Sequence, residues 1–104
     1  MLPLRSHPEA DSEAESAALW YEDRQAGLGR DFLAELDRAF TLISESPGIW
    51  PLWPGLPESL GIRRFPLSRF PYGIAYDFTE AGVIVYAVAH LARRPGYWKD
   101  RLKP

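Results

Sequence analysis

Apolar residues recur with a helical period through the first half of the chain and with a period near two through the second, and a proline-rich stretch separates the two regimes. Ala10, Ala14, Ala17, Ala18 and Tyr21 fall on one helical face. Their small size implies close packing against a neighbour, with Glu13, Glu22 and Arg24 left in water. Ser6-His7-Pro8-Glu9 has the form of this helix's start: a hydroxyl or imidazole to cap it, proline in the first turn, and a carboxylate three residues after the serine. Gln25-Ala26-Gly27 ends it, because glycine takes the left-handed conformation that closes a helix and Leu28 can fold back on the last turn. A second helix is predicted over residues 29–44, with Phe32, Leu33, Leu36, Ala39, Phe40 and Ile43 as its apolar stripe and Asp31, Glu35, Asp37 and Arg38 mostly outward. So short a connection makes the two helices an antiparallel hairpin.

Residues 46–60 contain four prolines and two glycines and show no periodic run, so they read as a connector that Trp50 and Trp53 tack onto the body. Strands follow. Residues 62–68 alternate imperfectly, and Pro66 places that strand at an edge or a bend. Tyr72, Ile74, Tyr76 and Phe78 share one face of the next strand, while Gly73 and Ala75 leave its other face low. Glu80-Ala81-Gly82 reads as a short hairpin turn with glycine at a positive backbone angle. Residues 83–90 are apolar on both faces, as in a central strand. Residues 2–6, with Leu2 and Leu4 alternating, fit a short edge strand. The expected architecture is a single α+β domain: an N-terminal antiparallel helical hairpin on one face of a small curved antiparallel sheet, with a short N-terminal edge strand.

Composition narrows this picture. The 104 residues include no cysteine, so neither disulfides nor thiolate metal ligands can hold the fold, and hydrophobic burial must. Two distant histidines make no metal site, and no glycine-rich phosphate loop or Ser/His/Asp pattern points to a cofactor. No basic segment followed by an apolar run opens the chain, and its longest apolar run is far short of a bilayer span, so a cytoplasmic protein with no membrane partner is expected. The net charge of −2 conceals an asymmetry: residues 1–60 carry eleven carboxylates against four arginines, and residues 61–104 carry eight cations against three carboxylates. The basic, histidine-bearing strand ends of the second half are the candidate site, suited to nucleic acid or an acidic protein partner.

The helical hairpin Ala18-Leu19-Trp20-Tyr21-Glu22-Asp23-Arg24 through Gly27-Leu28-Gly29-Arg30-Asp31-Phe32-Leu33-Ala34-Glu35, the segment Arg69-Phe70-Pro71-Tyr72, and the ending His90-Leu91-Ala92-Arg93-Arg94-Pro95-Gly96-Tyr97-Trp98 together resemble the RelE/ParE superfamily of toxins from type II toxin–antitoxin modules, which includes members called plasmid stabilization proteins. The resemblance covers nearly the whole chain. It implies a small toxin fold neutralised by a cognate antitoxin in a hetero-oligomer, and at least two unlike activities. RelE-like members cleave mRNA on the ribosome. Carried to this sequence, that activity would draw cations from Arg64, Arg69, Arg93 and Arg94, a base-stacking ring from Tyr97, and proton transfer from His90, with His90 and Arg69 as the catalytic pair. ParE-like members inhibit DNA gyrase by binding it and need no catalytic set.

The missing lysines before Lys99 and the sequence pI near 5.6 fit the ParE-like reading more easily, with Arg64, Arg69, Arg93, Arg94 and Tyr97 as contacts for target or antitoxin. A toxin-fold protein that only binds its partner is the third reading. Structural roles stand beside these functional ones: His90 bonding a backbone group, Arg69 pairing with an acid of the second helix, and Tyr97 and Trp98 forming a lid on the core.

Overall fold

The computed structural model describes residues 1–102, which form β1 (Leu4–Ser6), α1 (Pro8–Arg24), α2 (Leu28–Glu45), β2 (Arg63–Pro66), β3 (Tyr72–Thr79) and β4 (Gly82–His90), with single 3-10 turns at Glu58–Leu60 and Lys99–Leu102. The sheet is open, in the order β1-β4-β3-β2. Strands β2, β3 and β4 are antiparallel, as their short connections require, and β1 joins the free side of β4 in parallel, which makes the whole sheet mixed. Two helices packed on this sheet give the α+β architecture that the periodicity implies. No helix among the described residues is long and apolar enough to cross a membrane.

Helix α1 is capped by the imidazole of His7, whose Nδ1 accepts the Glu9 N–H at 3.1 Å, and Pro8 occupies the first turn. Ala10, Ala14, Ala17 and Ala18 are buried, so the helix lies close to α2 and β4. The tightest approach is at Gly29, where a Cβ would sit 2.4 Å from the Ala18 carbonyl oxygen. Helix α1 is closed by Gln25, which is extended and sends its N–H to the Tyr21 carbonyl at 3.0 Å; Gly27, expected to close it, is instead the left-handed N-cap of α2 at φ 89° and offers it no side-chain cap. Glu22 supplies it instead, its carboxylate accepting the Gly27 N–H at 2.9 Å and the Gly29 N–H at 3.0 Å, where the helix leaves its first amides unpaired. In α2 the buried stripe is Phe32, Leu36, Ala39 and Ile43. Leu33, expected within that stripe, is 46% exposed, because it lies at the rim of the face that those four residues define.

Both faces of the sheet are covered. On the helix side, Ile74, Tyr76, Val83, Val85 and Val88 pack with the α1 and α2 stripes. On the outer side, Ala75, Ala87 and Ala89 make room for two tryptophans, Trp53 from the connector and Trp98 from the C-terminal segment, whose rings meet edge-on at 5.5 Å. The connector also guards the sheet edge: Trp53 N–H bonds the Ile62 carbonyl at 2.8 Å and Arg64 N–H the Pro51 carbonyl at 2.9 Å, beside β2.

A β-bulge alters the reading of β4. The register passes from Ala75↔Ala87 to Tyr76↔Val85, which leaves Tyr86 as the extra residue. Val83 and Val85 face the helices, yet beyond the bulge it is Val88 that joins them while Ala87 and Ala89 turn outward. His90, two residues after Val88, is thereby aimed at α1.

Replacing Gly29 with alanine forces a clash with rigid helix backbone, and we expect a loss of about 2 kcal/mol, read as a lower urea midpoint with unchanged slope. The same substitution at exposed Gly55, where a Cβ meets nothing within 4 Å but φ is +82°, separates the steric cost from the backbone cost.

Candidate functional site

Between α1 and the end of the β3–β4 hairpin lies a groove of about 950 Å³. Its α1 wall is low where Ser12, Ser16 and Ala17 stand and rises at Trp20 and Tyr21. The opposite wall is Tyr72, Val88 and His90, and one end is closed by Arg93, Tyr97 and Arg101. Trp20, Tyr21, Tyr72 and Tyr97 thus share the concavity with Glu9, Glu13, His90, Arg93 and Arg101, a mixed aromatic and charged surface.

The closed end is built around Glu13. Strand β1 stops at Ser6, and after His7 N–H bonds the Val85 carbonyl at 2.8 Å the chain turns away into α1. From there on, β4 has no strand beside it on that edge. Glu13, one and a half turns into α1, supplies the missing partner: its Oε1 accepts the Val88 N–H at 3.0 Å. Arg101 completes the edge by donating to the Tyr86 carbonyl at 3.0 Å and to both carboxylate oxygens of Glu13, at 2.8 and 3.0 Å. Tyr97 hydroxyl donates to Glu13 Oε2 at 2.5 Å. The Glu13 and Arg101 side chains are only 16% and 11% exposed, so Glu13 is not the solvated residue that its helical position suggested.

The electrostatics follow from this packing. Burial pushes the Tyr97 phenol above its ordinary pKa, and its hydrogen bond to the Glu13 carboxylate adds to the rise. For Arg101, burial alone would lower the pKa, but the hydrogen bonds and charge of Glu13 raise it overall. The Arg93 guanidinium lies 3.6 Å from the centroid of the Tyr97 ring and 3.9 Å from a Glu13 oxygen.

His90 and Tyr72 are opposite one another in the register, and their rings meet edge-on at 5.1 Å. His90 Nδ1 accepts the Ala92 N–H at 3.0 Å. The histidine thus lines the groove with this nitrogen already engaged.

Of the six residues expected at the site, the groove gathers three: His90, Arg93 and Tyr97. Arg69 is braced on α2, 3.6 Å from Asp31, and the N–H groups of Ser68 and Arg69 bond the Glu35 carboxylate. Arg64 lies on the outer face of the sheet, over Trp53 at 5.6 Å and against Gly73 beside Leu91. Arg94 is exposed and does not line the groove. Glu13, Arg101, Trp20 and Tyr72 are the site residues that the pattern did not single out. A signal for Glu13 existed: it stands three residues after buried Ala10 and four before buried Ala17, on the helix's packed side. Among the described residues no group of three His, Cys, Asp or Glu side chains could hold a metal ion. No protein-family model and no curated protein matches the sequence.

All five tyrosines have raised pKa values, Tyr76 up to about 12 through burial. Near pH 10 the unfolded chain therefore loses tyrosine protons that the folded chain keeps, so stability is full below that pH and falls as pH rises above it. Urea titrations from pH 7 to 11 should show this decline. Tyr97→Phe should cost about 1.5–3 kcal/mol at neutral pH, the worth of a hydrogen bond to a charged group, and should make the alkaline decline shallower.

Proposed function

We propose that this chain is the toxin of a type II toxin–antitoxin pair, ParE-like in arresting growth by binding an essential target such as DNA gyrase, and held inactive in the bacterial cytoplasm by a cognate antitoxin. The reading is supported by the RelE/ParE-like motifs and by an element order of strand, helical hairpin and three-stranded meander that suits such a toxin.

The observation that carries the choice of binding over RNA cleavage is how the candidate catalytic groups are employed. A nuclease of this kind needs free cations for phosphate and a base that can accept a proton. Here Arg69 is paired with Asp31, Arg101 with Glu13, and His90 already uses Nδ1 as a backbone acceptor. Two carboxylates, Glu9 and Glu13, line the same groove, which disfavours a polyanion. Aromatic walls flanked by an exposed arginine are the materials of protein–protein hot spots. The exposed Trp20, with Arg24 stacked on it at 4.0 Å, extends that surface along α1.

Inducing the chain without an antitoxin should stop growth, leave mRNA 5′ ends unchanged within minutes, and inhibit supercoiling by purified gyrase. New 5′ ends at fixed codon positions would overturn the binding reading in favour of ribosome-dependent cleavage. Replacing both Arg93 and Arg94 with alanine should weaken target or antitoxin binding by on the order of tenfold or more, with the unfolding midpoint nearly unchanged.

A further inference from the structure

Arg93 is 57% exposed, and a long cation that far into solvent ordinarily samples many rotamers, losing that freedom only when it binds. In this fold it is held beforehand. Its guanidinium carbon lies 3.6 Å from the centroid of the Tyr97 ring, and one of its terminal nitrogens is 3.9 Å from Glu13 Oε2. The ring is held in turn by its hydroxyl on Glu13 Oε2, and Glu13 is tied to the backbone of β4 through Val88 N–H and to residues 97–102 through Arg101. The position of the sheet is thus passed to the exposed cation through a single carboxylate.

We infer that Glu13 is the positioning residue of the groove: by anchoring the Tyr97 hydroxyl and Arg101 against α1, it sets the platform on which Arg93 is presented. Its consequence for growth arrest rests on the proposed toxin reading, with Arg93 as a contact. The positioning itself does not depend on that reading. A carboxylate is required because the hub is an acceptor for four donor groups at once: one backbone amide, one phenol and two guanidinium nitrogens. An amide side chain offers a single acceptor oxygen and would turn its NH2 toward Arg101.

The test uses Glu13→Gln and the paired replacement Glu13→Leu with Arg101→Met. The second removes both buried charges together and so avoids an unpaired ion, which protects folding. Arginine Nε relaxation by NMR should show Arg93 ordered in the wild type and as mobile as Arg94 in both variants. A slowly exchanging Tyr97 hydroxyl proton should be present in the wild type and lost in the paired variant. If the paired variant unfolds at the wild-type midpoint and still loses Arg93 order, Glu13 positions Arg93 rather than merely stabilising the fold. Arg93 remaining ordered in the paired variant, or being as mobile as Arg94 in the wild type, overturns the inference. Growth arrest should fall with Arg93 order across the series. A wild type that does not arrest growth defeats the toxin reading, while the NMR result still decides the role of Glu13.

Discussion

A sheet edge abandoned half-way along a buried strand must find partners for its amides and carbonyls, and here that requirement governs everything around the groove. Strand β1 covers β4 only from Val83 to Val85. The remaining edge is completed by side chains, Glu13 from α1 and Arg101 from the far end of the chain. A charged residue turned into a strand edge also blocks the addition of a foreign strand, so the same contact that satisfies β4 protects it from edge-to-edge association. The N-terminal helix and the last residues described are thereby joined through Arg101, which pairs with Glu13 at 2.8 Å and with Glu9 at 3.6 Å, and the segment after β4 is bound to the body on both sides of the sheet: Trp98 packs on Trp53 outside, and Tyr97 binds Glu13 on the helix side.

Much of the fold was legible in the sequence because its signals are local. The His7-Pro8 start of α1, the Glu80-Ala81-Gly82 turn and the Tyr72, Ile74, Tyr76, Phe78 face each depend on residues within a few positions of one another, whereas the Glu22 cap of α2 depends on how the two helices meet. Leu33 shows the limit of an apolar stripe as a signal, since membership at its rim depends on which neighbour the helix meets. Glu13 shows a deeper limit. Its partners Val88, Tyr97 and Arg101 lie 75, 84 and 88 positions away, and no local pattern carries that information. The structural alternative foreseen for Arg69, pairing with an acid of the second helix, was reachable because charge asymmetry between the halves limits the available partners.

The candidate site was half legible for a related reason. The composition of the C-terminal stretch marked His90, Arg93 and Tyr97, but it marked Arg64, Arg69 and Arg94 equally, and only three-dimensional placement divides the set. Arg64 and Arg69 serve two different faces of the molecule, one over Trp53 and one over Phe70. Shared charge and nearness in sequence did not predict a shared surface.

The extra residue at Tyr86 has one more consequence. It offsets the two halves of β4 by half a period, so that Val88 and His90, at even positions, fall on the helix side that Val83 and Val85 hold at odd positions before the bulge. The strand behaves as two modules joined by a hinge of phase. A single deletion at the joint would turn Val88 and His90 to the outer face of the sheet while leaving the composition almost untouched.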